Sequence, residues 1–269
     1  MFSIILRTLK DRKVSIAVYT IAAVAFLWMY VALFPTIQGQ AEQLQGLSEA
    51  LPVELLDSMG VDAESFGFET LESFLALENF SFIWPIMALF MIIGYAGWAI
   101  ASDIDKGTIE HILAKPVSRT QIFFGRYLAG IAMLIVFTFL SIYAVIPFAE
   151  LHGVEYAISS YWPIFGLSFL FGWAIFGIAM MASAFFSEKS KVSMSVGGLI
   201  LLMYVANIVS ALVDKLENVQ YLSFFYYYDH TAALMDHVVS WEAVAVFSGV
   251  AIITTLVGVF WFNKRDIAT

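Results

Sequence analysis

The chain contains no cysteine, which excludes disulfides, thiolate metal sites and cysteine nucleophiles and leaves any loop outside the membrane to be held by packing alone. Charge is scarce: 13% of the 269 residues are Asp, Glu, Lys or Arg, against about 25% in an ordinary soluble chain, while 61% are hydrophobic. No Gly-x-x-x-x-Gly-Lys-Ser/Thr stretch occurs, so the chain lacks a loop that could cradle a nucleotide phosphate and cannot itself be an ATP-driven motor. It has no His-Glu-x-x-His pair, and the four histidines, His111, His152, His230 and His237, are expected in loops. Zinc proteolysis and other intramembrane catalysis are thereby left without ligands. No catalytic residue and no metal site is predicted.

What is present is a set of long apolar runs. A bilayer core about 30 Å thick needs about 20 apolar helical residues. Six such stretches without Asp, Glu, Lys or Arg lie near 14–34, 82–101, 127–148, 163–186, 194–213 and 243–262. The first follows Arg7, Lys10, Arg12 and Lys13, but at 21 residues it exceeds a signal-peptide core of roughly 7 to 15 and reads as a retained anchor. Continuous apolar runs also argue against a β-barrel, which would show short alternating segments. The expectation is an all-α membrane protein, residues 1–269 forming a single transmembrane domain in the lipid bilayer.

The net charge of -9 says less than its distribution. Twelve of the thirteen Lys and Arg residues fall in segments 1–13, 102–126, 187–192 and the tail, and only Lys215 falls in the alternate loops 35–81, 149–162 and 214–242. Lys and Arg are retained on the cytoplasmic side during insertion, so both termini are expected in the cytoplasm of a multi-pass protein of the cell membrane. The two ends of the molecule are called here the basic end and the acidic end.

Several segments outside the runs carry patterns of their own. Residues 2–13 separate Ile5, Leu6 and Leu9 from Arg7, Lys10 and Lys13, as in an amphipathic helix lying on the membrane surface, although a plain basic flank fits equally. The loop 35–81 is expected to form two or three small helices, with Leu44, Leu47, Leu51 and Leu55 at helical spacing and Pro52, Gly60 and Gly67 as punctuation. Its nine carboxylates lack calcium-loop spacing and read as a solvated face. Phe224, Phe225, Tyr226, Tyr227, Tyr228 and Asp229 suggest a re-entrant or interfacial segment, since a ring body suits the apolar layer while its hydroxyl stays wet; a substrate-binding patch is the alternative. His230 and His237 stand seven residues apart, two turns and about 10 Å, too far for one metal, and read as interfacial polar groups. Within the spans, Asn207, Ser141 and Thr138 are expected only to hydrogen-bond neighbouring helices. The absence of ionisable groups there argues against a proton- or sodium-coupled carrier.

Segment 102–126 is the most patterned. Asp103 and Asp105 place negative charge near the start of a short helix, Ile109, Ile112 and Leu113 form its apolar stripe, and Pro116 ends it. Ser118-Arg119-Thr120-Gln121 then has the form of a capping box opening the third span. An ordinary basic loop explains Lys106, Lys115 and Arg119 but not the ordered series of the other residues.

With its acidic residue at Asp103 or Asp105, then Gly107-Thr108-Ile109-Glu110, then Pro116-Val117-Ser118-Arg119, this segment resembles the cytoplasmic loop of type 2 ABC exporter permeases. Similar too are Ala50-Leu51-Pro52-Val53-Glu54-Leu55-Leu56, Leu222 through Asp229, and Phe262-Asn263-Lys264-Arg265-Asp266-Ile267. Lys106 departs from the pattern, where the family more often has an acidic or small residue. The resemblance implies a coupling helix, residues 103–119, seated on a separate ATPase subunit. It also implies two copies of that ATPase, which would hold ATP and Mg, and a second permease, identical or homologous. This chain would carry no cofactor and bind no nucleic acid. An apolar or amphipathic substrate suits spans without ionisable groups. A non-transporting scaffold or sensor that recruits an ATPase, and a membrane enzyme or channel acting alone, are the competing classes.

Overall fold

The structure is a computed structural model that describes residues 1–48, 70–109 and 117–266. Six helices among the described residues are long and apolar enough to cross a membrane: Phe2–Gln40, Leu71–Ala99, Arg119–His152, Ile158–Phe185, Lys189–Ser210 and Trp241–Lys264. They are numbered here as spans one to six. There is no strand among the described residues. Water is absent from the hydrocarbon layer, so a chain this apolar satisfies its backbone within helices.

The first helix runs without interruption from Phe2 to Ser48 and through Pro35. Two expectations are corrected by it. Residues 2–13 are the first turns of span one rather than a separate surface helix, which leaves the basic-flank reading. The supposed loop start at 35 is helix as well; Leu44 and Leu47 extend span one. On the far side, Thr70 caps a helix at Leu71, its hydroxyl accepting from the Ser73 N–H at 3.2 Å, and that helix passes through a π-helical stretch, Ala76–Ile83, into Trp84–Ala99. Leu51, Leu55, Pro52, Gly60, Gly67 and the run 50–56 lie outside the described residues. The solvated-face reading fails at Glu72, which is 6% exposed and accepts hydrogen bonds from the Ala157 N–H at 2.7 Å and the Tyr161 hydroxyl at 3.4 Å.

Span four is the hub. Its apolar window is 67% buried, against 17% for span five, and Tyr161, Phe171 and Phe176 are almost wholly enclosed. Its closest neighbour is span six. A β-carbon added at Gly177 would lie 2.5 Å from Thr254 Oγ1 and 3.0 Å from the Ala251 carbonyl, so only a hydrogen lets the two backbones approach this closely. Polar groups tie the same bundle: the Tyr127 hydroxyl of span three accepts from Trp173 Nε1 of span four and from the Thr255 hydroxyl of span six, both at 2.8 Å. The Trp84 indole of span two donates to Ser141 of span three, also at 2.8 Å. Ser141 thus does what was expected of it.

All the basic segments converge at one end of this bundle. Gly125 in span three packs against Ile4 at the start of span one, and Gly97 near the end of span two against Lys189 at the start of span five. Substituting Gly177 by Leu should force spans four and six apart at a cost of about 1 to 3 kcal/mol, the usual range for overpacking. A thermal-unfolding scan in detergent should show a lowered midpoint for Gly177→Leu and none for Gly198→Ala, whose site is open.

Candidate functional site

At the basic end, span two stops at Ala99, because Ile100 leaves helical geometry with φ -131° and ψ -52°. The break deprives two buried N–H groups of helical acceptors, and Ser183 of span four supplies the replacement: its hydroxyl accepts from Ile100 at 3.2 Å and Ala101 at 3.1 Å. A short helix, Ala101–Asp105, follows and is closed by Gly107 at φ 68°, left-handed geometry that glycine adopts at no steric cost. Gly107 donates to the Ile104 carbonyl at 3.0 Å, and the Thr108 hydroxyl folds back onto Asp103 Oδ1 at 2.9 Å. The Gly-Thr pair therefore builds a turn.

Asp103 is the anchor of that turn. Its other carboxylate oxygen lies 2.6 Å from Arg126 Nη2, with side-chain exposures of only 16% and 8%. Arg126 also donates to the Ala99 carbonyl at the broken helix end. Trp98 stands between two cations, with the Arg12 guanidinium 3.9 Å and that of Arg126 5.4 Å from its ring. Spans one, two and three are thereby joined beside a cleft of about 540 Å³ bordered by Arg7, Thr8, Asp11, Thr108 and Val117. The expectation that Asp103 and Asp105 begin an outward-facing helix is corrected in part: Asp103 is turned inward to Arg126, and Asp105 ends its short helix exposed. Glu110 and Pro116 lie outside the described residues, as do Ile112, Leu113 and Lys115.

The chain resumes at Val117, and Ser118 opens span three as expected. The Ser118 hydroxyl accepts from the Gln121 N–H at 3.2 Å while the Gln121 side chain accepts from the Ser118 N–H at 3.1 Å. Arg119, expected to face a partner, is instead partly buried against the tail, donating to the Phe262 carbonyl at 3.3 Å and to the Arg265 carbonyl. Arg265 in turn donates to the carbonyls of Ala184 at 2.9 Å and Phe186 at 3.1 Å and to the Ser187 hydroxyl. Burial pulls the Arg265 guanidinium below its ordinary value. Thr120 and Asn263 complete the clamp, the Asn263 amide donating to the Thr120 hydroxyl at 3.0 Å. Three helix ends meet here: the start of span three, the end of span four and the end of span six.

At the acidic end the aromatic segment divides between two environments. Phe224 and Tyr228 are 5% and 3% exposed, Tyr228 sharing a 2.9 Å hydrogen bond with Ser168 and stacking on Trp84, and Phe225 meets Phe171 edge-on. Burial pushes the Tyr228 hydroxyl above the usual tyrosine range. Tyr226 and Asp229 stay exposed. The segment thus turns into the bundle at its two ends rather than lying flat on it. The two histidines do not share a helical face. His230 leans on the Tyr228 carbonyl, and burial lowers its pKa, while His237 takes left-handed geometry at φ 59° and bonds Ser160 at 2.9 Å. His152 closes a helix rather than sitting in a loop, accepting from the Trp28 indole at 3.2 Å. Among the described residues no three His, Asp or Glu side chains are grouped to hold a metal.

Sequence reading missed the Asp103–Arg126 pair and the Arg119–Arg265 clamp, because it assigned Asp103 and Arg119 to a partner-facing loop and used Arg126 only as a marker of topology. The geometry describes a six-span bundle with a structured turn at its basic end. The comparison of families agrees: residues 4–267 match the family described as ABC-2 family transporter protein, and the chain belongs to it. No curated protein matches the sequence.

The inward pairing of Asp103 has a measurable consequence. Arg126→Met leaves a carboxylate buried without its partner and should cost about 3 kcal/mol, whereas Arg126→Met combined with Asp103→Leu should regain most of that loss. Chemical denaturation of the two variants in mixed micelles checks this; equal stability of single and double variants would show that the pair is not a structural one.

Proposed function

We propose that this chain is the permease subunit of an ATP-driven exporter whose ATPase is a separate polypeptide. In this reading the turn at the basic end is where the ATPase acts. The observation that carries it is that the described chain has a fixed point before Ile109 and another after Val117. On one side the Gly107 turn is fastened through Asp103 to Arg126. On the other, the Ser118 cap is followed at once by the Arg119 clamp. A segment anchored in this way transmits a push to spans two and three directly, and through Arg265 to the ends of spans four and six.

Family membership supports a transport role and an ABC ATPase as partner, while the basic residues gathered at one end support a cytoplasmic position for that end and for both termini. ATP and Mg belong to the partner in this scheme. The assembly is two permeases, identical or homologous, with two ATPases, the single transmembrane domain of each chain providing half of a path for an apolar or amphipathic substrate across the cell membrane. Arg119 is reassigned within the proposal: it holds the clamp rather than touching the ATPase.

Co-purification with a candidate ABC ATPase subunit, expressed together with this chain, tests the reading. Deletion of 106–117 should abolish capture of the ATPase while the six-span core remains folded. Glu110→Ala should keep capture but reduce permease-stimulated ATP hydrolysis by about tenfold, the loss expected from one charged contact at an interface. Unchanged capture after the deletion would sink the coupling assignment and favour transport or signalling without this segment.

A further inference from the structure

Among the described residues, no carboxylate of the acidic end forms an ion pair. All three ion pairs among the described residues, Arg7–Asp11, Arg126–Asp103 and Lys191–Glu188, stand at the basic end. Between the aromatic segment and the start of span six lies a cavity of about 300 Å³, bordered by Tyr226, Tyr227, Asp229 and Glu242, with Leu167 and Val238 among its apolar walls. The rings of Tyr226 and Tyr227 meet edge to face, at 86° to one another with centroids 5.0 Å apart. Glu242 sits in the first turn of span six, and Asp229 spends one oxygen on the Ala232 N–H at 2.9 Å.

From this we infer that the cavity is a binding site for an organic ammonium group. The chemistry discriminates among cations. A divalent metal wants several oxygen ligands at one point, and no such group exists among the described residues. An alkylated ammonium is different: it carries a diffuse positive charge on an apolar surface, so it is attracted both to carboxylates and to tyrosine faces, and it tolerates the Leu167 and Val238 walls. The size is at the lower end of known small-molecule sites, which suits a head group rather than a whole drug. The same chemistry comes from a free solute such as choline or from the head group of a lipid.

The experiment uses the purified full chain without any ATPase, so its outcome is independent of the coupling proposal. Thermal unfolding and titration calorimetry are recorded with choline chloride in a sugar-headed detergent. Parallel unfolding scans use nanodiscs of phosphatidylglycerol alone or mixed with phosphatidylcholine. A ligand that binds only the folded state raises the midpoint. Choline should raise it beyond sodium chloride at equal ionic strength, and Glu242→Gln and Tyr226→Leu should each weaken binding by about tenfold. If free choline is silent but phosphatidylcholine discs raise the midpoint of the native chain and not of Glu242→Gln, the lipid is the source. The inference is overturned if neither form raises the midpoint, if the gain survives in Glu242→Gln, or if calcium chloride reproduces it at equal ionic strength. Glu242 is exposed and its amide keeps the same shape, so this variant decides the matter even if Tyr226→Leu fails to fold.

Discussion

A helix in a membrane can be broken only where some other group takes up the backbone it frees, and in this protein that group is the Ser183 hydroxyl. It accepts from both Ile100 and Ala101, the two N–H groups stranded by the break at the end of span two. Everything distinctive about the basic end follows from this one substitution of acceptors. The chain is free to change direction after Ala99, Arg126 can reach the carbonyl exposed there, and Asp103 comes within ion-pair distance of the same guanidinium. Because Ser183 belongs to span four, the break in span two is held by the most enclosed helix of the bundle.

The buried ion pair then has a meaning beyond stability. An Arg–Asp pair at low exposure gains little against an apolar replacement, but it is strongly orienting, since each partner is costly to leave alone. Here it fixes the side of the bundle from which the Gly107 turn departs. The Thr108 hydroxyl uses the remaining oxygen of the same carboxylate, so one aspartate ties the Gly107 turn to span three. On the far side of that segment Arg119 and Arg265 use guanidinium forks to collect carbonyls from helix ends, where the last turn of any helix leaves acceptors unsatisfied. Two different solutions to the problem of unpaired backbone thus frame one stretch of chain.

The bundle was legible in the sequence for physical reasons. Hydropathy runs report burial in lipid without needing to know any neighbour, and the Ser118–Gln121 cap is a local signal complete within four residues. Helix ends were less legible, since span one continues beyond its apolar run and through Pro35, a residue that membrane helices tolerate. Pairings across the fold were not legible at all. Asp103 and Arg126 stand 23 residues apart with a turn and part of a span between them, and Arg119 meets a tail nearly 150 residues later; neither spacing carries a periodic signature. Glu72 was misjudged for the same reason, because its partners, Ala157 and Tyr161, come from another loop and another span. The Gly107-Thr108 pair was noticed as a family pattern, yet its physical content, a left-handed turn tied to Asp103, needed coordinates.

The two ends of the molecule handle charge in opposite ways, and this bears on how a six-helix bundle that buries few ionisable residues, Glu72 and Arg126 among them, could respond to anything. At the basic end cations are matched: Arg126 by Asp103, Arg12 by the face of Trp98, Arg119 and Arg265 by carbonyls. Each match joins different helices, so displacing one helix disturbs several. At the acidic end Asp229 and Glu242 border a cavity without a cation of the chain, while the buried half of the same segment is locked by Tyr228 to Ser168 and Trp84. Ser168 and Ser183 lie on the same span, at its acidic-end half and near its basic end respectively. Span four therefore contacts, through one serine each, the segment beside this cavity and the break beside the proposed coupling turn. A rigid shift of that span by the ATPase would alter both contacts together, which is the simplest mechanical route by which an event at one membrane face would change what the other face can hold.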